Sequence, residues 1–317
     1  MITHSKIKLI KIIPVELNQN RLDLALSTLL PEYSRAKIQN WIKECYVTID
    51  GKIARTKDKI HTGQIISINA TIINTTTSEP QSIALDIIYD DPDIIVINKP
   101  VGLVVHPGAG QADNTLLNAL LYHYPELASV PRAGIIHRLD KDTSGLLVVA
   151  RNLISHTRLV ADLQKREIKR EYAAIVNGVM TTGGTIEAPI GRHPVKRTHM
   201  AVKENGKIAT THYRIIKRFP AHTHLRVILE TGRTHQIRVH LAHIGYPIVG
   251  DPTYGKGLKI PTKCSMILRK TLENFEHQAL HAELLGLKHP TTGQSMEWKA
   301  KPPKDMENLL HILSQTH

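Results

Sequence analysis

Cysteine is almost missing from this 317-residue chain: Cys45 and Cys264 stand far apart and outside any Cys-x-x-Cys spacing. That excludes a disulfide framework and a thiolate zinc site. Aromatic residues make up only 4%, which argues against a binding surface built of successive stacked rings. No apolar run approaches the ~20 residues needed to cross a bilayer, and the first residues, Met1 to Lys6, carry no secretory hydrophobic stretch. The cytoplasm is the expected compartment, with no membrane partner. A Gly-x-x-x-x-Gly-Lys phosphate loop and a Gly-x-Gly-x-x-Gly turn after the first strand are both absent, so no nucleotide cofactor is expected. Acidic charge is short as well, with 28 Asp and Glu against 41 Lys and Arg, a formal net charge of +13. Such an excess marks a polyanionic partner, and nucleic acid is the first candidate. An anionic membrane is the weaker one, because no basic amphipathic helix with a broad apolar face stands out. Nineteen histidines invite a metal, yet the close pair His222 and His224 has no Cys or acidic ligand at recognisable spacing, so none is expected.

What is present supports a folded chain of roughly two domains, given 41% hydrophobic residues over this length. After a short basic lead-in, Leu22, Leu26, Leu29 and Leu30 have helical spacing that Pro31 stops. Ser34 is placed to cap a second helix with Ile38, Trp41 and Ile42 on its apolar face, leaving Arg35, Lys37 and Lys43 for solvent or phosphate. Short strands at 46–52 and 64–68 complete a compact module over 14–70, and the threonine-rich stretch that follows reads as a linker over 71–83. The remainder, 84–317, is rich in strands joined by short turns. An α+β fold is expected, with a mixed, mostly antiparallel sheet and flanking helices. Asn114 is the expected cap of a helix through Leu116 to Leu121, and Thr234 of one bearing Ile237, Leu241 and Ile244 in a stripe. The basic stretch from Gly191 to Gly206, which holds Arg192, Lys196 and Arg197, reads as a charged loop able to lie on phosphates.

One loop stands apart. Gly134-Ile135-Ile136-His137-Arg138-Leu139-Asp140-Lys141-Asp142-Thr143-Ser144-Gly145 packs two carboxylates, two cations and a histidine between two apolar runs. A core strand does not choose that composition, since each buried charge is costly unless paired. By itself it reads as a solvated hairpin. Asp140 and Asp142 are a poor pair for a metal nuclease, and Asp142, just before Thr-Ser-Gly, suits a turn in which its side chain caps backbone amides. Asp140 remains, a single carboxylate near arginines, suited to nucleophilic or proton-transfer work at a sugar carbon.

Two resemblances carry this further. Arg21-Leu22-Asp23, Ser34-Arg35, Ile38, Gln39 and Val47 to Lys52 resemble an S4 domain, a small RNA-binding module. The long string His137 to Gly145, with Asn98 to Gly108, Lys169-Arg170-Glu171-Tyr172, Arg192-His193-Pro194, Thr231 to Leu241 and Gly250 to Gly255, resembles the RluA group of pseudouridine synthases. The resemblance implies a pseudouridine synthase domain that isomerises a uridine, with large-subunit ribosomal RNA as partner and no cofactor; a monomer is the default expectation. It implies that Asp140 attacks or deprotonates the ribose, Tyr172 stacks on the base and serves proton removal, and Arg233 pairs with Asp140. Ile237 would form an apolar wall, and Arg138 would help evict the uridine, a version of base flipping. Another rRNA or tRNA uridine, or a non-catalytic ribosome-assembly role, are the alternatives.

Overall fold

The computed structural model describes residues 3–315 except 31, 32, 34, 75–77, 109, 197, 256 and 263. Ser34 and Arg197 therefore lie outside the described residues. The basic lead-in is a strand, β1 (Thr3–Ile12), in which Ile7 and Leu9 turn inward while Lys8 and Ile10 face outward. Two helices follow, α1 (Leu22–Leu29) and α2 (Arg35–Lys43), and then β2 (Val47–Ile49), β3 (Lys52–Ile53) and β4 (Ile65–Asn74). The strands form a sheet in the order β1-β4-β2-β3, and the helices bury Leu22, Leu26, Ile38 and Trp41 in its core. Because β1 pairs with β4 from Ile12 opposite Ile65 to Thr3 opposite Asn74, residues 71–74 belong to a strand rather than to a linker.

Asp23 ties the two helices together. Its fully buried carboxylate accepts from Arg21 Nε at 3.0 Å, Arg35 Nη2 at 2.7 Å and Gln39 Nε2 at 2.7 Å. Burial works to raise its pKa, but these three donors outweigh it and hold the group at about 2.

Beyond residue 80, β5 (Ile87–Asp90) and β6 (Ile94–Lys99) precede α3 (Leu116–His123), β7 (Ser144–Ala150), α4 (Leu153–Gln164) and β8 (Lys169–Asn177). After these come β9 (Gly184–Glu187), β10 (Ile190–Arg192), β11 (Met200–Val202), β12 (Thr210–Arg218) and β13 (His222–Leu229). Helices α5 (Gln236–His243) and α6 (Met266–Glu273), strands β14 (Leu280–Lys288) and β15 (Ser295–Lys299), and helix α7 (Lys304–Gln315) complete the chain. The large sheet runs β5-β6-β7-β14-β8-β13-β12-β9, with β15 on the far half of β14. The β7–β14 pairing is parallel and the others are antiparallel. Both faces of the middle strands are covered. Ile95, Ile97, Leu147 and Val149 join a core on one side, whereas Ile94, Val96, Leu146 and Val148 join Leu159 of α4 on the other.

Several local expectations shift. Thr115, not Asn114, caps α3 through a reciprocal pair with Asn118, while Asn114 takes a left-handed turn. Thr234 does not cap α5. His235 precedes that helix with φ 56°, and Gln236 Oε1 accepts the Arg233 amide at 3.0 Å and the Thr231 hydroxyl at 2.8 Å. The stretch from Gly191 to Gly206 is anchored by the β10–β11 hairpin, with Arg192 opposite Met200.

Candidate active site

The Gly134–Gly145 loop enters β7 from a tight turn at Pro131–Gly134, and its two end glycines are required by close approach. A Cβ on Gly134 would lie 1.9 Å from the Ala150 carbonyl oxygen, and one on Gly145 2.3 Å from that of Ala282. Both take positive φ, 77° and 112°. Between them Leu139 is buried in the main core, so Arg138 and Asp140 on either side of it line a cleft of about 950 Å³.

Lys99 sets the height of the loop. It is fully buried at the end of β6, and its Nζ donates to the carbonyls of Pro100 at 2.7 Å, Leu103 at 2.9 Å and Lys141 at 2.9 Å. The Gly102 amide reaches the same Lys141 carbonyl at 3.0 Å. The Asn98–Gly108 loop thus fixes the backbone directly after Asp140. Burial pulls the Lys99 ammonium down to about 8, opposed by the charges of Asp142 and Asp140. Asp142 caps no amide among the described residues, contrary to expectation, and its charge acts on Lys99 instead.

The cation beside Asp140 is Arg238. Its Nη1 donates to Asp140 Oδ2 at 3.0 Å, while Nε and Nη2 grip Asp251 at 2.7 and 2.8 Å. Arg233 does not make that pair. It is exposed in the turn before α5, and its Nε donates to the Ile208 carbonyl at 3.1 Å. The reason lies in the helix: Arg238 sits in the first turns of α5 on its buried flank, where it faces Asp140, whereas Arg233 precedes the helix and is turned toward Ile208, in the segment before β12. Burial opposes the Arg238 charge, but Asp251 and Asp140 more than compensate and raise its pKa. Asp251 is itself fixed by the amides of Thr253 at 2.8 Å and Tyr254 at 3.0 Å.

A second layer completes the geometry. Arg238 lies over the Tyr254 ring at 5.1 Å, and the Tyr254 oxygen accepts the Met200 amide at 2.9 Å. Its hydroxyl also meets His235 Nδ1 at 2.8 Å, and the other ring nitrogen of His235 faces Asp140 Oδ1 at 3.9 Å. Burial lowers His235 despite the nearby Asp140 charge. His137 is driven to about 3 by burial and by Arg170, and its Nε2 accepts the Val148 amide at 3.3 Å.

The structure brings Asp140, Arg138, Tyr172, Ile237 and Arg233 to one cleft. Tyr172 is buried on the central strand β8, opposite Ala282 on one side and Val227 on the other. Burial and the Asp140 charge raise its phenol, with Arg170 opposing. The expected phosphate contacts divide differently. Lys43, Arg192 and Lys196 are exposed. Arg35 is committed to Asp23, and Lys37 lies over the rings of Tyr33 at 5.4 Å and Trp41 at 5.7 Å, where burial lowers its pKa. Sequence reasoning missed Arg238, although a signal existed: an arginine flanked by Ile237, Val239 and Leu241 is buried with them and demands a carboxylate.

Comparison with known proteins shows which family the chain belongs to. The model of a family described as RNA pseudouridylate synthase matches residues 93–243, and that of the S4 domain matches residues 20–66. A protein of Pseudomonas aeruginosa named ribosomal large subunit pseudouridine synthase D is 55% identical over 303 residues, covering 96% of this chain and 95% of that protein. The chain belongs to the RNA pseudouridylate synthase family. The Escherichia coli K12 protein of the same name is 55% identical over 294 residues, covering 92% of this chain and 90% of that protein. Among solved structures, human RNA pseudouridylate synthase domain containing 4 matches with a TM-score of 0.57 at 26% identity, covering 72% of this chain and 92% of that chain. Human RNA pseudouridylate synthase domain containing 1 matches with a TM-score of 0.53 at 26% identity, covering 75% and 98%. Every family-level expectation, RNA isomerase chemistry on an α+β fold behind an S4 domain, agrees with these matches. Among the described residues, no helix is long and apolar enough to cross a membrane.

Proposed function

We propose that this protein isomerises a uridine of large-subunit ribosomal RNA to pseudouridine, acting as a cytoplasmic monomer with Asp140 as the reacting carboxylate. The observation that carries the reading is the Asp140–Arg238 pair at 3.0 Å on the wall of a cleft shared with Tyr172. The reaction breaks the bond from C1′ to N1 of uracil and makes one from C1′ to C5, and the C5 hydrogen leaves as a proton. Nothing is oxidised or reduced. Asp140 acts at the ribose, either by attack on C1′ or by taking a ribose proton. Arg238 aims it, and Asp251 keeps Arg238 in place. Since burial holds the Tyr172 phenol protonated, Tyr172 stacks on the freed base and relays a proton rather than standing as a phenolate. Ile237 walls the pocket, and exclusion of water strengthens the charge pairing while protecting the released sugar.

A base inside regular A-form RNA is out of reach, so the target lies in a loop or a distorted helix. Arg138, exposed and two residues from Asp140, is placed to occupy the stack that the base leaves. Lys43, Arg192 and Lys196 supply phosphate contacts. The test is to incubate the purified protein with protein-free large-subunit rRNA and map pseudouridines. One or a few new sites are expected; no new site in any RNA offered would contradict the reading.

A further inference from the structure

We propose that Arg170 is a phosphate-binding residue of the cleft that grips a backbone phosphate flanking the target uridine; this rests on the isomerase reading above. Arg170 is 5% exposed, and its Nε has no hydrogen-bond partner. Among the described residues no carboxylate lies within ion-pairing distance of it. The adjacent Glu171 points to the opposite side of β8, where Lys169 holds it at 3.3 Å and Arg226 at 3.6 Å. A buried guanidinium without an anion is unfavourable, and water solvates it poorly. The bound state therefore supplies what the free protein lacks.

The side chain is aimed at the site. Arg170 and Tyr172 are two residues apart on one strand, hence on one face, and both line the cleft with Asp140. Its Nη1 would stand 3.0 Å from a Cβ at position 232, so the bare Gly232 backbone leaves the guanidinium its place. His137, facing Arg170, is kept neutral and adds no competing cation. The other arginines of the cleft are differently served. Arg238 is shared by two carboxylates, Arg166 pairs with Glu230, and Arg132, Arg138 and Arg233 are exposed to solvent. Arg170 alone of them combines burial with an unused donor. A planar, forked cation matches two phosphate oxygens at once, which a uracil carbonyl cannot offer. With Asp140 at the sugar and Tyr172 at the base, the remaining part of the same nucleotide is its phosphate.

The experiment is a cycle between protein and RNA. A synthetic stem–loop carrying the uridine mapped in the rRNA assay is made with a neutral methylphosphonate at each flanking phosphate in turn, and kcat/KM and Kd are measured for the full-length wild type, Arg170→Met and Arg170→Lys. For the wild type, one of the two substitutions lowers kcat/KM by roughly 10- to 100-fold. In Arg170→Met the same substitution changes it by less than about 3-fold, because the contact is already gone, and Arg170→Lys keeps part of the sensitivity. Since each variant is compared with itself on two RNAs, a loss of stability cancels, and Kd serves for any variant too slow to turn over. If both methylphosphonates cost Arg170→Met as much as the wild type, the phosphate contact is refuted while the isomerase reading stands. If the wild type makes no pseudouridine in the protein-free large-subunit rRNA from which the stem–loop is drawn, the isomerase reading fails and the proposal with it.

Discussion

Two carboxylates near arginines behave differently in the two parts of the chain. Asp23, in the S4 domain, is fully buried and takes donors from Arg21, Arg35 and Gln39. Asp140, in the cleft, keeps a side-chain exposure of 16% and takes one strong donor, from an arginine already shared with Asp251. The first accepts from three side chains and serves to lock two helices. The second is aimed but left short of donors, which is the state a reacting group needs. Similar residue types thus build a clamp in one place and a poised site in the other. The difference lies in how many donors the surrounding backbone can bring within reach.

The contrast can be broken by substitution. Arg238→Lys keeps a charge but cannot fork across Asp140 and Asp251, so turnover is expected to fall about 10²-fold. Arg233→Lys, which touches neither carboxylate, is expected to change turnover less than about 3-fold. Steady-state kinetics on the same rRNA separates the two, and equal losses would return Arg233 to the position the sequence suggested.

A smaller effect is expected at Asp23. Its folded pKa of about 2 against a reference of 3.8 corresponds to about 2 kcal/mol of stability from the ionised form. Because the folded value is depressed, this contribution is fully present above pH 3.8 and is lost as the pH falls toward 2. The unfolding free energy of the S4 domain in the full chain, followed by Trp41 fluorescence in urea, should therefore fall by about 2 kcal/mol in Asp23→Asn at neutral pH. That gap should close in acid, while turnover per folded molecule changes little. A constant gap from pH 7 to pH 2 would show that the carboxylate charge is not what holds the helices.

How much of this was legible in the sequence follows from locality. The Gly134–Gly145 loop, its catalytic-type aspartate and its two end glycines are contiguous, and the chain shows them together. The Asp140–Arg238 pair spans 98 positions, and two arginines five residues apart on either side of a helix start look alike until the helix phase is known. The same uncertainty of one position moved the α3 cap from Asn114 to Thr115. β1 was hidden because its alternation of Lys8, Ile10 and Ile12 outward against Ile7 and Leu9 inward leaves isoleucines exposed, so polarity alone did not mark a strand. Lys99 was passed over in a proline- and glycine-rich loop, since only the fold shows three carbonyls converging on its ammonium. Arg170 was seen only as one residue of the Lys169-Arg170-Glu171-Tyr172 string; its isolation depends on Glu171 turning to the other face of β8.

The most direct measurement places Asp140→Asn beside the wild type in cells that otherwise lack the protein, maps pseudouridine across the large-subunit rRNA, and measures rRNA binding of both purified proteins. The wild type is expected to restore the modification, whereas Asp140→Asn binds rRNA within about 3-fold of wild type and restores none, as expected where one group is indispensable. Normal pseudouridine at the site in cells carrying Asp140→Asn would contradict it.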